Sequence, residues 1–228
     1  MDADQVATLR TLLANTGWLE RAGLFGRALR TSVATPGGLL VVGTPAEEPW
    51  HLTAHLDEES RLSGIAELMP TLVRWTPPPG APPHLAVGLA RLEETRRGET
   101  LFVVAPDAAP APLLERVNDA RHVGATILAL DGGDPELDSL AHEALAVPEA
   151  TRPRAARPDS ARPGSARLDV AFDEADWAGR AGLLTFDAAQ HLVSAAAGMR
   201  NSATAPRGAR SLRGRLARFL DAVSGTTT

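Results

Sequence analysis

The sequence predicts an α/β fold: a parallel sheet of about five strands sandwiched by helices, with helical additions at the N- and C-terminal ends. Three observations predict it. Short continuous apolar runs recur at Leu39–Gly43, 71–75, Thr100–Ala105 and 126–130, and such runs mark strands buried on both faces. Segments with apolar residues at helical spacing separate them. Strands that alternate with helices imply crossover connections and a parallel sheet.

The elements follow in order. Asp4 can cap a first helix whose Val6, Leu9, Leu12 and Leu13 share a face, and Asn15-Thr16-Gly17 stops it. A second helix carries Leu19, Leu24, Phe25, Ala28 and Leu29 and ends before Pro36-Gly37-Gly38. After the first strand, residues 51–68 read as a helix with Leu52, Leu56, Leu62, Ile65 and Leu68 as core contacts. The proline-rich stretch 77–83 must be a loop, because proline fixes φ and donates no backbone hydrogen bond. Leu85, Leu89 and Leu92 stand at i, i+4 and i+7, a helix stripe. The turn at Arg97-Gly98-Glu99 leads into the third strand, and Leu113, Leu114, Val117 and Ala120 mark the next helix. A short helix over 137–142 precedes a fifth strand at 144–147.

Residues 148–168, rich in Pro, Arg, Ala and Ser, have no apolar periodicity and read as a solvated linker or long loop. Phe172 and Trp177 are apolar anchors beyond it. Residues 182–186 read as extended, and Asp187 can cap a helix through Ala188, Leu192, Val193 and Ala197. Leu212, Leu216, Phe219 and Val223 form a last amphipathic stripe. The organisation is a lead-in over 1–37, an α/β core over 38–148, a linker over 149–168, a helical return over 169–200 and a basic tail over 201–228.

The 228 residues are 44% hydrophobic, enough for one domain with tails and too apolar for a long disordered chain. No window approaches the roughly 18 uninterrupted apolar residues that a membrane span needs. The start MDADQVATLR lacks a basic-then-apolar signal pattern, so a cytoplasmic location is expected. The absence of Cys excludes disulfides, thiolate catalysis and Cys-ligated metal. All 23 basic residues are Arg, which excludes Schiff-base lysine chemistry and a phosphate-loop lysine. Residues 1–147 hold 11 Arg against 20 acids, a net −9, and residues 148–228 hold 12 Arg against 8 acids, a net +4. An acidic body thus carries a basic rear section.

Residues 96–149 carry a resemblance. Gly98-Glu99 turns into a strand, Gly124-Ala125-Thr126 precedes the next, and Leu140-Ala141 leads to Val147-Pro148. In order and spacing this resembles the central segment of a SIS domain, the sugar isomerase or phosphosugar-binding fold. With the two earlier strands the similarity extends over roughly residues 38–148. The resemblance implies a parallel α/β fold, pairing of two copies through helices, and a phosphosugar held by a Ser-x-Ser-Gly-x-Thr loop after the third strand. This chain departs there: the loop reads Ala105-Pro106-Asp107-Ala108-Ala109-Pro110. Hydroxyls are missing, a carboxylate stands where phosphate would sit, and prolines remove N–H donors. A phosphate site needs such donors converging on it.

Ligands of parallel sheets sit at the C-terminal ends of the strands. Those ends supply Gly43, Thr44, Asp107 and Asp131 as candidate ligand-binding residues for a polar, cationic or hydroxylated molecule. The same residue types are also ordinary turn residues. His51 and His55 stand at i, i+4 on one helix face, a spacing that can hold metal, but the segment His51-Leu52-Thr53-Ala54-His55 lacks the Glu of a zinc-hydrolase helix. His191 is a candidate general base, with Glu143 as a second polar group. Ser139 and Ser194 lack the Gly-x-Ser-x-Gly context of a serine hydrolase.

The expected function is a non-catalytic, SIS-like binding or regulatory module that has lost its phosphosugar loop. It needs no catalytic residue, cofactor or metal, and it acts as a homodimer on a small polar ligand. One alternative is a sugar-phosphate isomerase with a rearranged site. Another is an adaptor whose tail, with Arg207, Arg210, Arg213, Arg215 and Arg218, recruits an acidic partner. The acidic whole and the lack of interleaved aromatics disfavour nucleic acid as that partner.

Overall fold

The computed structural model describes residues 13, 17–147 and 184–199. In chain order the elements are α1 (Trp18–Ser32), β1 (Leu39–Gly43), α2 (Trp50–Ser63), β2 (Pro70–Val73), α3 (Ala90–Glu93), β3 (Thr100–Ala105), α4 (Ala111–His122), β4 (Thr126–Asp131), α5 (Pro135–Leu140), β5 (Glu143–Ala146) and α6 (Phe186–Gly198). The five strands form one sheet in the order β2-β1-β3-β4-β5, and every pair is parallel.

Side chains alternate across a strand, so each run feeds two cores. Leu39, Val41, Phe102, Val104, Leu128, Leu130 and Leu145 point to a first face, covered by α1, α2 and α6. Leu40, Val42, Val73, Leu101, Val103, Ile127 and Ala129 point to the second, where Leu92 of α3, Leu113 and Val117 of α4 and Leu137 of α5 meet them. That double burial is why β1 and β3 read as unbroken apolar runs: every residue in both is buried.

On the first face α6 lies between α1 and α2. Its FDAAQHLVSAAAG sequence suits close approach. A Cβ at Gly26 of α1 would come within 2.5 Å of the Ala196 Cβ. Arg30 of α1 donates to the carbonyl oxygens of Ala197 and Met199 and so satisfies orphan groups at the C-terminal end of α6. Phe25 and Phe102 rings meet at 5.6 Å and link α1 to the sheet.

Several elements depart from the sequence-based expectation. The helix expected over 51–68 ends at Ser63, because Gly64 takes a left-handed φ of 67° and donates its N–H to the Ser60 carbonyl oxygen. Residues Ala66–Leu68 form a separate 3-10 turn. The second strand begins one residue earlier than 71–75 and stops at Val73. Arg74 only bridges Gly88, and its guanidinium grips Glu48 with bonds of 2.7 and 2.6 Å. The Leu85–Leu89–Leu92 stripe is not one helix: a 3-10 turn at Pro83–Leu85 and the single turn of α3 share it. The fifth strand is shifted one residue toward the N-terminus of the expected 144–147. Thr185, not Asp187, caps α6, its hydroxyl oxygen accepting the Ala188 N–H at 3.1 Å.

Apart from buried Leu13, the first helix lies outside the described residues. So do the linker over 149–168, Phe172, Trp177, the Arg-rich tail and the last amphipathic stripe. Among the described residues no helix is long and apolar enough to cross a membrane.

Candidate functional site

The strand order places a topological switch between β1 and β3. The connection leaving β1 runs over the first face through α2, and the one leaving β3 runs over the second face through α4. The two loops diverge there, and doubly wound sheets take their ligands at such a crevice.

On the β1 side the loop folds back on its own strand. A Cβ at Gly43 would collide with the Glu47 carbonyl oxygen and with Pro49, so only glycine fits. The Gly43 carbonyl oxygen accepts the Trp75 indole N–H at 2.7 Å. Thr44 is 4% exposed, and its hydroxyl and carbonyl oxygens both accept the Glu47 N–H at 3.2 Å. The Arg74–Glu48 ion pair braces the same loop against the end of β2.

The β3 side is short of donors. Pro106 and Pro110 have no N–H, and the Ala109 N–H is committed to the Asp134 carboxylate at 2.8 Å. Asp107 and Ala108 are exposed. The next loop presses against this one, because a Cβ at Gly132 would fall on the Pro106 carbonyl oxygen. Asp131 closes β4 fully buried, and its Oδ1 accepts the N–H groups of Gly133 and Asp134. Asp134 in turn caps α5, accepting from Glu136 and Leu137 at 2.9 and 3.3 Å.

Gly43, Thr44, Asp107 and Asp131 therefore stand at the C-terminal ends of three neighbouring strands, β1, β3 and β4. Thr44 and Asp131 are buried and tie their own turns, while Asp107 is presented outward.

Near the end of α2 that leaves β1, the structure assembles a group that the sequence did not suggest. His51 and His55 of α2 meet His191 of α6. The ring centroids lie 5.6 Å apart for His51–His55, 5.8 Å for His51–His191 and 4.3 Å for His55–His191. Trp50, 59% exposed, stacks on His51 at 4.6 Å. Glu58 lies 3.8 Å from His55 Nδ1, and Asp187 lies 3.7 Å from His191 Nε2. Burial, followed by the neighbouring imidazole, pulls both His55 and His191 below the ordinary histidine value, against the pull of the two carboxylates. The i, i+4 pair was legible in the sequence. Its third member, 136 residues beyond His55, carried no local signal.

The rings do not form a metal centre as they stand. His51 and His55 are parallel to within 9° and present faces to each other, whereas shared ligation needs nitrogens aimed at one point. Among the described residues no group of three His, Cys, Asp or Glu is placed to hold a metal ion. His191 joins α2 in this cluster, and Glu143, which opens the edge strand β5, is not part of it. Burial pushes the Glu143 carboxyl above its usual range. Ser139 and Ser194 hydroxyls donate to the Glu136 and His191 carbonyl oxygens, at 2.8 and 3.0 Å, and serve as helix-tied side chains.

The chain matches no protein-family model, no curated protein and no solved structure.

Proposed function

We propose that this chain is a non-catalytic binding or regulatory module with a SIS-like core whose phosphosugar loop has been replaced. The observation that carries the reading is the supply of donors at the switch point. The Glu47 N–H is taken by Thr44, the Ala109 N–H is taken by Asp134, and two prolines flank the β3 exit. A phosphate dianion would lose its water there with few replacement donors. Repulsion by Asp107 adds less, because that carboxylate is exposed: unit charges ~4 Å apart in water interact by about 1 kcal/mol, roughly fivefold in affinity.

The same outward carboxylate suits a hydroxylated or amine-bearing ligand better than an anion. Nuclear magnetic resonance titration with paired sugars tests this. Glucosamine is expected to shift the amide signals of Asp107 and Ala108 at millimolar concentration, and Asp107→Asn to weaken the effect. Glucose, fructose and glucosamine phosphates are expected to bind undetectably in calorimetry and to undergo no isomerisation. Micromolar binding of a hexose phosphate, weakened by Thr44→Val, would overturn the reading in favour of the isomerase alternative. Pairing of two copies through helices belongs to the same proposal, and sedimentation equilibrium returning a monomer would remove it.

A further inference from the structure

The imidazoles of α2 and α6 meet in one cluster. His55 and His191 meet at 4.3 Å with planes inclined by 59°, and His51 lies within 5.8 Å of both. Neutral rings pack favourably in such tilted arrangements. Imidazolium rings at this range repel one another, the more so because His55 and His191 are half-buried.

Charged groups act on this junction from α2, α6 and α1, and the chain's α-amino group also lowers His191. From α2 come His51, His55 and Glu58, with the Asp57–Arg61 ion pair beside them and buried Glu59 a turn further along. From α6 come His191 and Asp187. On the other side of α6, α1 contributes Arg27 and Arg30, and Arg30 is engaged with the far end of α6 at Ala197 and Met199. The sheet contributes apolar side chains to this face. The Glu58 and Asp187 side chains are 47% and 63% exposed, so water screens much of what they could offer a charged cluster.

α6 is suited to respond. Apart from Leu192 and Val193, the side chains it buries are small or polar: Ala188, Ala189, Gln190, Ser194, Ala196 and Ala197. Phe186 adds a partly buried ring, so opening α6 would expose one aromatic and two large aliphatic side chains along with these small ones.

We propose that the His51–His55–His191 contact is a proton-operated latch. With the rings neutral, α6 lies against α2. On mild acidification His55 and His191 charge, and α6 opens from the first face of the sheet.

Hydrogen exchange of the full chain tests it, comparing about pH 7.5 with about pH 5.5 after correction for intrinsic rates. Exchange of α6 amides is expected to rise about tenfold, while α4 amides on the second face change little. In the His55→Gln/His191→Gln double variant the α6 response to pH is expected to vanish. Equal responses of α6 and α4, or an undiminished response in the double variant, would overturn the proposal. Imidazole titration of the unaltered chain gives a second readout that does not depend on variants folding. His55 and His191 are expected to titrate below the ordinary range and to report each other, and independent titration at the ordinary value would sink the idea. Loss of α6 protection on adding a chelator at about pH 7.5 would likewise overturn it, in favour of a metal centre.

Discussion

At the scale of single residues, close approach decides what is tolerated. Gly26 and Gly23 both lie in α1, but the space around them differs. A Cβ at Gly26 would meet Ala196 and the backbone of Ala197, while one at Gly23 would meet nothing within 4 Å. Gly26→Ala is therefore expected to destabilise the fold by about 1–3 kcal/mol through overpacking. Gly23→Ala is expected to stabilise it by about 0.5–1 kcal/mol through helix propensity. Urea unfolding of both variants checks the pair, and the same sign for both would contradict the α1–α6 packing. Asp131 makes a parallel case with polar atoms. Its buried carboxylate accepts two backbone N–H groups, so Asp131→Ala should cost about 1–3 kcal/mol and Asp131→Asn less, since one acceptor oxygen remains. A ligand role for Asp131 would instead show as lost binding at unchanged stability.

At the scale of elements, short helices depend on their ends. α5 has six residues, too few to persist without support. Asp134 supplies that support, capping α5 with Oδ1 and holding the β3 loop through the Ala109 N–H with Oδ2. Asp134→Ala is expected to cost about 1–2 kcal/mol and to raise amide exchange in α5 and at Ala109 together. Exchange rising in α5 alone would show that the two loops are not coupled through this carboxylate. The sequence pattern misread the stretch around Leu85–Leu92 for a related reason. Leucine spacing announced a helix there, but Pro82, Pro83 and Gly88 divide it into two single turns, since proline removes donors and glycine weakens helix.

At the scale of the whole molecule, pH acts through groups whose charged form burial disfavours. Burial is the largest cause that lowers His55, His142 and His191. For His142 the geometry agrees, because its Nδ1 accepts the Ile127 N–H at 2.9 Å, a bond that a protonated ring cannot accept. A depressed histidine means that the unfolded chain binds more protons. That stability is complete above the unfolded value of about 6.5 and is lost progressively as the pH falls below it. Glu143 acts in the opposite sense: its raised carboxyl contributes most at low pH, and the contribution is lost as the pH rises through its folded value. Three imidazoles oppose one carboxyl, so the thermal midpoint is expected to rise between about pH 5 and pH 7. Calorimetry across that range checks it, and a flat or falling midpoint would contradict the burial of these rings. His142→Gln is expected to reduce the global slope while leaving the local response of α6 intact.

The sequence by itself determined the α/β class, the strands β1, β3 and β4 almost to the residue, and the strand ends that carry Gly43, Thr44, Asp107 and Asp131. These are local matters: an apolar run buried on both faces is visible without knowing its neighbours. The tertiary structure alone decided the strand order, and with it the switch between β1 and β3. It also decided that Thr44 and Asp131 turn inward to their own loops while Asp107 faces out. The histidine cluster came from the same source. An i, i+4 pair records only its own helix, and the position of α6 across from it is set by small residues packing on α1 and α2, contacts that no periodicity of one segment can encode.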